Sequence, residues 1–391
     1  MNHHPRWSGA RLPSVSMLLF FLMLLGVGVL FIHSASTAGE VPFPGALARQ
    51  QLIRIAIGFV FLLLCLRVDY RRLEAFATPL YVFGLVLLIV LIGLKPFRSE
   101  ASRWFYLPGF ALQPSELLKI FTALLLAKVL KPTHEQAPRP WLRPLLIVLV
   151  PTGLIALQPD LGTALVLPPL FFTMSYVAGV SRRRLALIAL VGLALMPAGW
   201  FVLHPYQKDR ILVFLDPSHP SLARDDGYQI RQSLTAIGSG GVFGCGLYQG
   251  TQNRLNYLPE DHNDFIFAII GEEWGLVGTG AVLGLFLLLY LSALGIAFRT
   301  REPFGRLLVI GMTTHLAFQT LVNVAMTMGL APVTGLPLPF VSYGGSSLLT
   351  SIASLGVVLG VGMRPVRIVA PDGLRSGRAL VLSGSATGGV R

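Results

Sequence analysis

The chain has 391 residues, 53% of them hydrophobic and only 13% charged, with a mean hydropathy of +0.68. That profile excludes an ordinary soluble domain and points to a polytopic membrane protein. The net charge of +13 suggests a nucleic-acid binder only until it is mapped along the chain.

Apolar runs long enough to cross about 30 Å of hydrocarbon fall at 15–33, 51–67, 76–94, 114–130, 142–158, 162–180, 185–204, 265–298, 305–330 and 346–363. The runs are continuous, not alternating, and lipid cannot satisfy free backbone polar groups, so they predict helices and not barrel strands. The expected fold class is all-α, with about ten transmembrane helices and a large extracytoplasmic loop between helices 7 and 8. The expected organisation is a cytoplasmic tail at 1–14, a transmembrane domain at 15–366 that includes the loop 205–263, and a cytoplasmic, disordered tail at 367–391.

Basic residues cluster in alternate connections, among them Arg67, Arg71 and Arg72, Lys128 and Lys131, Arg182 to Arg184, and Arg299, Arg301 and Arg306. With both termini inside, about 20 of the 31 Lys and Arg lie on the cytoplasmic side, and this bias sets orientation. Basicity is thus a topology signal, and a nucleic-acid partner is not expected. The basic start could be misread as a signal peptide, but its apolar run is long and further spans follow, so an uncleaved first helix is expected. Cys65 lies in a span and Cys245 in the outer loop, which predicts no disulfide and no metal site.

Polar residues that topology does not explain gather on the opposite, outer side. Between spans three and four stand Arg103-Trp104 and then Gln113-Pro-Ser-Glu116. Glu116 and Lys119, three apart, share a helix face, as a neutralised structural pair or as a cavity wall whose Lys119 meets an anionic ligand. Between spans five and six, Gln158-Pro-Asp-Leu-Gly-Thr163 places Asp160 either as a helix cap or toward the same cavity. The long loop carries Arg210, Gly227 to Ser233 and the glycine-dense Ile237-Gly-Ser-Gly-Gly-Val-Phe-Gly-Cys-Gly246. The glycines suit close backbone approach with amides that receive an anion, or a flexible loop without a ligand.

Asp264 then opens a segment running to Arg299, about 50 Å long if helical throughout at 1.5 Å per residue. An acid at the boundary of a polar loop and an apolar helix is a functional candidate, while a helix N-cap is the common structural role for Asp. On the same geometry Glu272 and Glu273 lie about 12 Å deeper. The last outer segment, Val333 to Ser347, includes Ser342 and Tyr343. Its Pro and Gly content permits non-helical backbone beside a cavity. Acids, cations and apolar walls together suit a lipid-linked anionic substrate, with transport and chemistry both open at this point.

Five motifs in order resemble the SEDS family of peptidoglycan polymerases, RodA and FtsW: Arg103-Trp104 with Gln113 to Glu116, Gln158 to Thr163, Tyr228 to Gly241, Leu258 to Glu273, and Pro337 to Ser346. The resemblance covers roughly 50–365. Gly250-Thr-Gln252 and Leu255 before Leu258-Pro-Glu260 look more like RodA, which acts in elongation and shape, than like FtsW, which acts in division.

The resemblance implies glycan polymerisation from lipid II at the outer face of the bacterial cytoplasmic membrane. It makes Asp264 the catalytic acid-base residue, with Asp261 adding charge that would raise its pKa. Arg103, Trp104, Glu116, Lys119, Asp160, Arg210, Ser342 and Tyr343 are the candidate substrate-binding residues. Arg103, Lys119 and Arg210 are the candidates for holding diphosphate. It further implies a class B penicillin-binding protein transpeptidase as partner, alongside membrane lipids. A divalent cation, Mg²⁺ or Mn²⁺, is compatible with diphosphate chemistry, although no ligand cluster with metal spacing is visible. A lipid II flippase using the same cavity, and a division polymerase, are the rival readings.

Overall fold

The computed structural model describes residues 12–37, 41–94, 103–107, 110–132, 141–158, 160–201, 203, 205–216, 226–254, 257 and 263–364. The two expected tails and the stretch 258–262, which contains Asp261, lie outside these residues apart from 12–14. All ten expected spans are helices: α1 (Leu12–Thr37), α2 (Ala46–Arg67), α3 (Tyr70–Leu94), α4 (Pro114–Leu130), α5 (Leu142–Leu157), α6 (Leu161–Val177), α7 (Arg182–Gly199), α11 (Ile266–Arg299), α12 (Pro303–Thr327) and α13 (Ser346–Gly362). By length and composition α1, α2, α3, α11 and α12 can each cross a membrane, and α5, α6 and α13 are shorter apolar helices. Several helices extend beyond the apolar run that predicted them. Hydropathy marks only the hydrocarbon portion, whereas intrahelical hydrogen bonding continues into the interface, as at Tyr70-Arg-Arg in α3.

The expected outer loop is largely structured, with α8 (Pro205–Leu215), α9 (Asp226–Gly240) and the short α10 (Thr251–Arg254). The segment before α4 forms a hairpin, β1 (Phe105–Leu107) and β2 (Phe110–Leu112), with Tyr106 opposite Ala111. It is the one sheet among the described residues. The core sits on α4, α12 and α13, buried along most of their length. Around them α1 packs on α11, α2 on α13, α3 on α4 and α5 on α6. Leu185 is the one buried residue of α7, which lies at the periphery.

The segment from Asp264 to Arg299 is not helical throughout. Gly275 has φ 65° and ψ −160°, which breaks α11 near its outer end. The break explains the glycines of the preceding loop. Cys245 N and Gly246 N donate to the main-chain oxygens of Glu272 and Glu273, each at 3.0 Å, and Leu276 N donates back to Gly241 O at 3.0 Å. Backbone meets backbone here: a Cβ on Gly244 would stand 2.1 Å from Glu273 O, and one on Gly275 2.4 Å from Gly244 N. Side chains are excluded from both positions, and both need positive φ. The amides of Cys245 and Gly246 therefore bond the carbonyls of a broken helix, an arrangement that neither the anion site nor the flexible loop considered for these glycines describes.

Candidate active site

Residues of α2, α4, α8 and α13, the start of α6, the β hairpin, the turn before α11 and the 334–345 segment line a cavity of about 1010 Å³. Seven of the nine candidates line it: Arg103, Trp104, Glu116, Asp160, Arg210, Asp264 and Tyr343. Residues from six separate chain segments thus meet at one place.

Asp264 lies in the turn 263–265, and α11 begins at Ile266 with Phe265 as its N-cap and no side-chain cap bond. The N-cap position falls to Phe265, one residue after Asp264. Its side chain faces the α12–α13 connection. A Cβ on Gly335, whose φ is +70°, would lie 3.5 Å from Asp264 Oδ2 and 3.9 Å from Arg210 Nη1. The acid and the cation thus both come close to Gly335. Arg210, in α8, also donates through Nη1 to Val333 O at 2.9 Å, which ties the loop helix to the same connection.

Asp160 is both a cap and a wall. Its Oδ1 accepts from Thr163 N at 3.3 Å, and its Oδ2 accepts from Gln113 Nε2 at 2.8 Å and Ser115 Oγ at 3.2 Å. These bonds join the starts of α4 and α6. Glu116 reaches the cavity wall from α4 while accepting from Lys119 at 2.8 Å.

Lys119 and Ser342 do not line the cavity. Lys119 is fully buried and donates to Glu116 Oε1 and, at 2.9 Å, to Gln319 Oε1 of α12. Burial of an ammonium demands such pairing, so the neutralised structural pair is the arrangement found. Ser342 is buried; its Oγ accepts from Leu338 N at 2.8 Å and closes the turn before Tyr343. Glu272 and Glu273 are likewise structural. Glu272 accepts from Thr251 Oγ1 and Gln252 N, each at 3.0 Å, at the start of α10, and Glu273 accepts from Ser34 of α1.

Three polar residues escaped the sequence reading. Arg54 of α2 lines the cavity, lies 4.1 Å from the Tyr343 ring centroid, and has a buried Nη1 with no partner among the described residues. Its signal was present, since it is a charge inside the predicted span 51–67. Asn323 and Gln319 lie one turn apart on α12, both fully buried. Asn323 Nδ2 donates to Asp264 O at 2.8 Å and to Leu336 O at 2.7 Å, while Gln319 Nε2 donates to Pro337 O at 2.8 Å. Together they hold the non-helical 334–337 backbone against the turn that carries Asp264.

The cavity thus offers three carboxylates, three guanidinium groups from Arg54, Arg103 and Arg210, and an apolar flank of Ile53, Ile57 and Phe61 on α2. No group of three or more His, Cys, Asp or Glu able to hold a metal ion occurs among the described residues.

Comparison with known proteins shows the family. The peptidoglycan glycosyltransferase MrdB of Escherichia coli K12 is 37% identical over 351 residues, covering 88% of this chain and 92% of that protein. A probable peptidoglycan glycosyltransferase FtsW of Trichlorobacter lovleyi is 38% identical over 355 residues, with 88% and 92% covered. Among solved structures, a chain of a peptidoglycan synthase complex described as coordinating polymerization and crosslinking matches with a TM-score of 0.74 and 34% identity, over 89% of this chain and 96% of that one. The rod shape determining protein RodA of Thermus thermophilus matches with a TM-score of 0.66 and 31% identity, over 93% and 100%. The cell cycle protein family that unites FtsW, RodA and SpoVE matches residues 15–365, and the chain belongs to that family.

Proposed function

We propose that this protein is a multi-pass enzyme of the bacterial cytoplasmic membrane that polymerises lipid II into peptidoglycan glycan strands at the outer face, in cell elongation and shape. The single observation that carries the reading is that Asp264 and Arg210 both line the cavity and both come close to Gly335. The family membership and the glycosyltransferase relatives support it.

The 4-hydroxyl of an acceptor GlcNAc attacks the anomeric carbon of a donor MurNAc. The new C–O bond forms as the bond to undecaprenyl diphosphate breaks on the opposite face, so an α-linked diphosphate becomes a β-1,4 link. Asp264 takes the hydroxyl proton, the task of a carboxylate base in an inverting displacement. Arg210, which lines the same cavity as Asp264, stabilises charge building on the departing diphosphate. Arg54 and Arg103 supply further positive charge in the same cavity. No step is assigned to a divalent ion.

The charge distribution supports cytoplasmic termini and an outer loop 205–263. Elongation is favoured over division by Gly250-Thr-Gln252, while relatives of both kinds are about equally identical to this chain. A class B penicillin-binding protein is the proposed partner, in line with the synthase complex that matches. Purified protein with that partner, given labelled lipid II, should yield glycan strands that a muramidase digests. Passage of intact lipid II across vesicles without strand formation would instead establish transport.

A further inference from the structure

At the end of α11 and α12 remote from Asp264 lies a second cavity. α11 and α6 both pack on α12 and leave a groove of about 360 Å³ between them. Its walls are Tyr176 and Val177 from α6, Leu294 and Phe298 from α11, and Arg306 and Ile310 from α12. That volume is within the roughly 300–1,000 Å³ range of ligand pockets. The reaction does not use it, and it shares no residue with the active-site cavity.

Its chemistry is that of a lipid site. The apolar residues face a gap between membrane helices, and Phe298 is 83% exposed at its rim. Arg306, in the first turn of α12, contributes a guanidinium whose Nε is buried with no hydrogen-bond partner among the described residues. Its terminal amino groups are not among the buried atoms, and they are the part of the guanidinium that an anion in the groove would meet. An Arg edge matches two oxygens of a phosphate in bidentate geometry. A second positive charge stands at the mouth, where Arg182 donates to the Tyr176 hydroxyl at 2.9 Å. Elsewhere on the groove wall, Thr314 Oγ1 donates to Thr173 Oγ1 at 3.1 Å and Thr173 donates to Pro169 O at 2.7 Å, so these two hydroxyls are already satisfied. One end of the groove therefore demands an anion and the rest demands hydrocarbon.

We propose that this groove is a specific site for an anionic phospholipid, with its phosphate on Arg306 and part of one acyl chain between α6 and α11. Anionic lipid is abundant on the cytoplasmic leaflet, where a basic face meets it. This placement agrees with the proposed orientation, but the binding chemistry does not depend on that orientation.

Native mass spectrometry of the purified full chain, with phosphatidylglycerol or phosphatidylcholine added back to delipidated protein, tests the site. Wild type should retain one phosphatidylglycerol at detergent concentrations that strip phosphatidylcholine. Arg306→Gln should lower the retained fraction by about ten-fold or more. Arg301→Gln, which removes a neighbouring exposed charge outside the groove, should leave retention unchanged. Leu294→Trp keeps every charge but fills the groove, and should also lose the lipid while melting at the wild-type temperature. Equal retention of the two lipids, equal loss in Arg301→Gln and Arg306→Gln, or full retention in Leu294→Trp would overturn the site and leave annular lipid only. None of these readouts involves glycan synthesis, so failure here is separable from failure of the proposed reaction.

Discussion

Asn323 donates one side-chain amide to two main-chain oxygens at once, that of Asp264 at 2.8 Å and that of Leu336 at 2.7 Å. The two acceptors belong to the turn that carries the acid and to the connection that carries Gly335. Their separation, and with it the space between Asp264 and Arg210, therefore depends on a residue that lines no part of the cavity.

Replacing Asn323 by Leu leaves both carbonyl oxygens without this donor, at about 1–3 kcal/mol for each group stranded. We expect kcat to fall about ten-fold or more while KM for lipid II changes little, because Asn323 positions the acid and does not touch substrate. A rise in KM with kcat unchanged would show that Asn323 shapes binding instead.

Asp264→Asn retains shape but not a useful base. Polymerisation should drop about 100-fold or more, with lipid II binding and melting temperature nearly unaltered, since Asn has almost the same shape and caps a helix about as well as Asp. Near-normal strand synthesis by the purified variant would remove Asp264 from the chemistry and return lipid transport to consideration.

Arg210→Ala loses a charge-assisted interaction with diphosphate, about 1.5–3 kcal/mol, and also the bond to Val333 O. Activity should fall further than thermal stability. Arg210→Lys should recover only part, because a point charge cannot serve carbonyl and phosphate with the geometry of a guanidinium. Equal losses of stability and activity in both variants would make the residue a loop anchor.

The glycine strap gives a contrast within four residues. Gly244 has φ +80° and a Cβ there would meet Glu273 O at 2.1 Å, whereas Gly241 has φ +53° with nothing within 4 Å. Gly244→Ala should lower the melting temperature markedly and Gly241→Asn very little, as Asn tolerates left-handed backbone. Thermal melts of the two variants in detergent check this, and similar melting of both would argue against backbone contact at the helix break.

Orientation is testable with the native thiols. An impermeant maleimide applied to spheroplasts should label Cys245 and not Cys65. Burial, then the charges of Glu272 and Glu273, push the Cys245 thiol above its ordinary value. Less thiolate is then present at neutral pH, and labelling should accelerate as pH rises. In a background without native cysteines, a cysteine at position 183 should react only after permeabilisation; reaction from outside would invert the topology.

The helices were legible in the sequence because a segment in lipid must satisfy its own backbone, so an apolar run of sufficient length admits one structure. Asp264 was legible for a related reason: a charge where hydrocarbon begins has few uses. Which polar residues meet was not legible, because that depends on helix rotation and on contacts between segments far apart in the chain. Glu116 reaches the cavity, while Lys119, three residues later, turns to Gln319 of α12. The amides of Cys245 and Gly246 looked suited to an anion until the break at Gly275 supplied carbonyl acceptors for them. Local pattern determined the helices and left Asp264 open between a cap and a functional acid; only tertiary packing decided that Arg54, Arg210 and Asp264 share one cavity and that Asn323 bonds the turn of Asp264, since each of those contacts joins segments whose proximity no local pattern encodes.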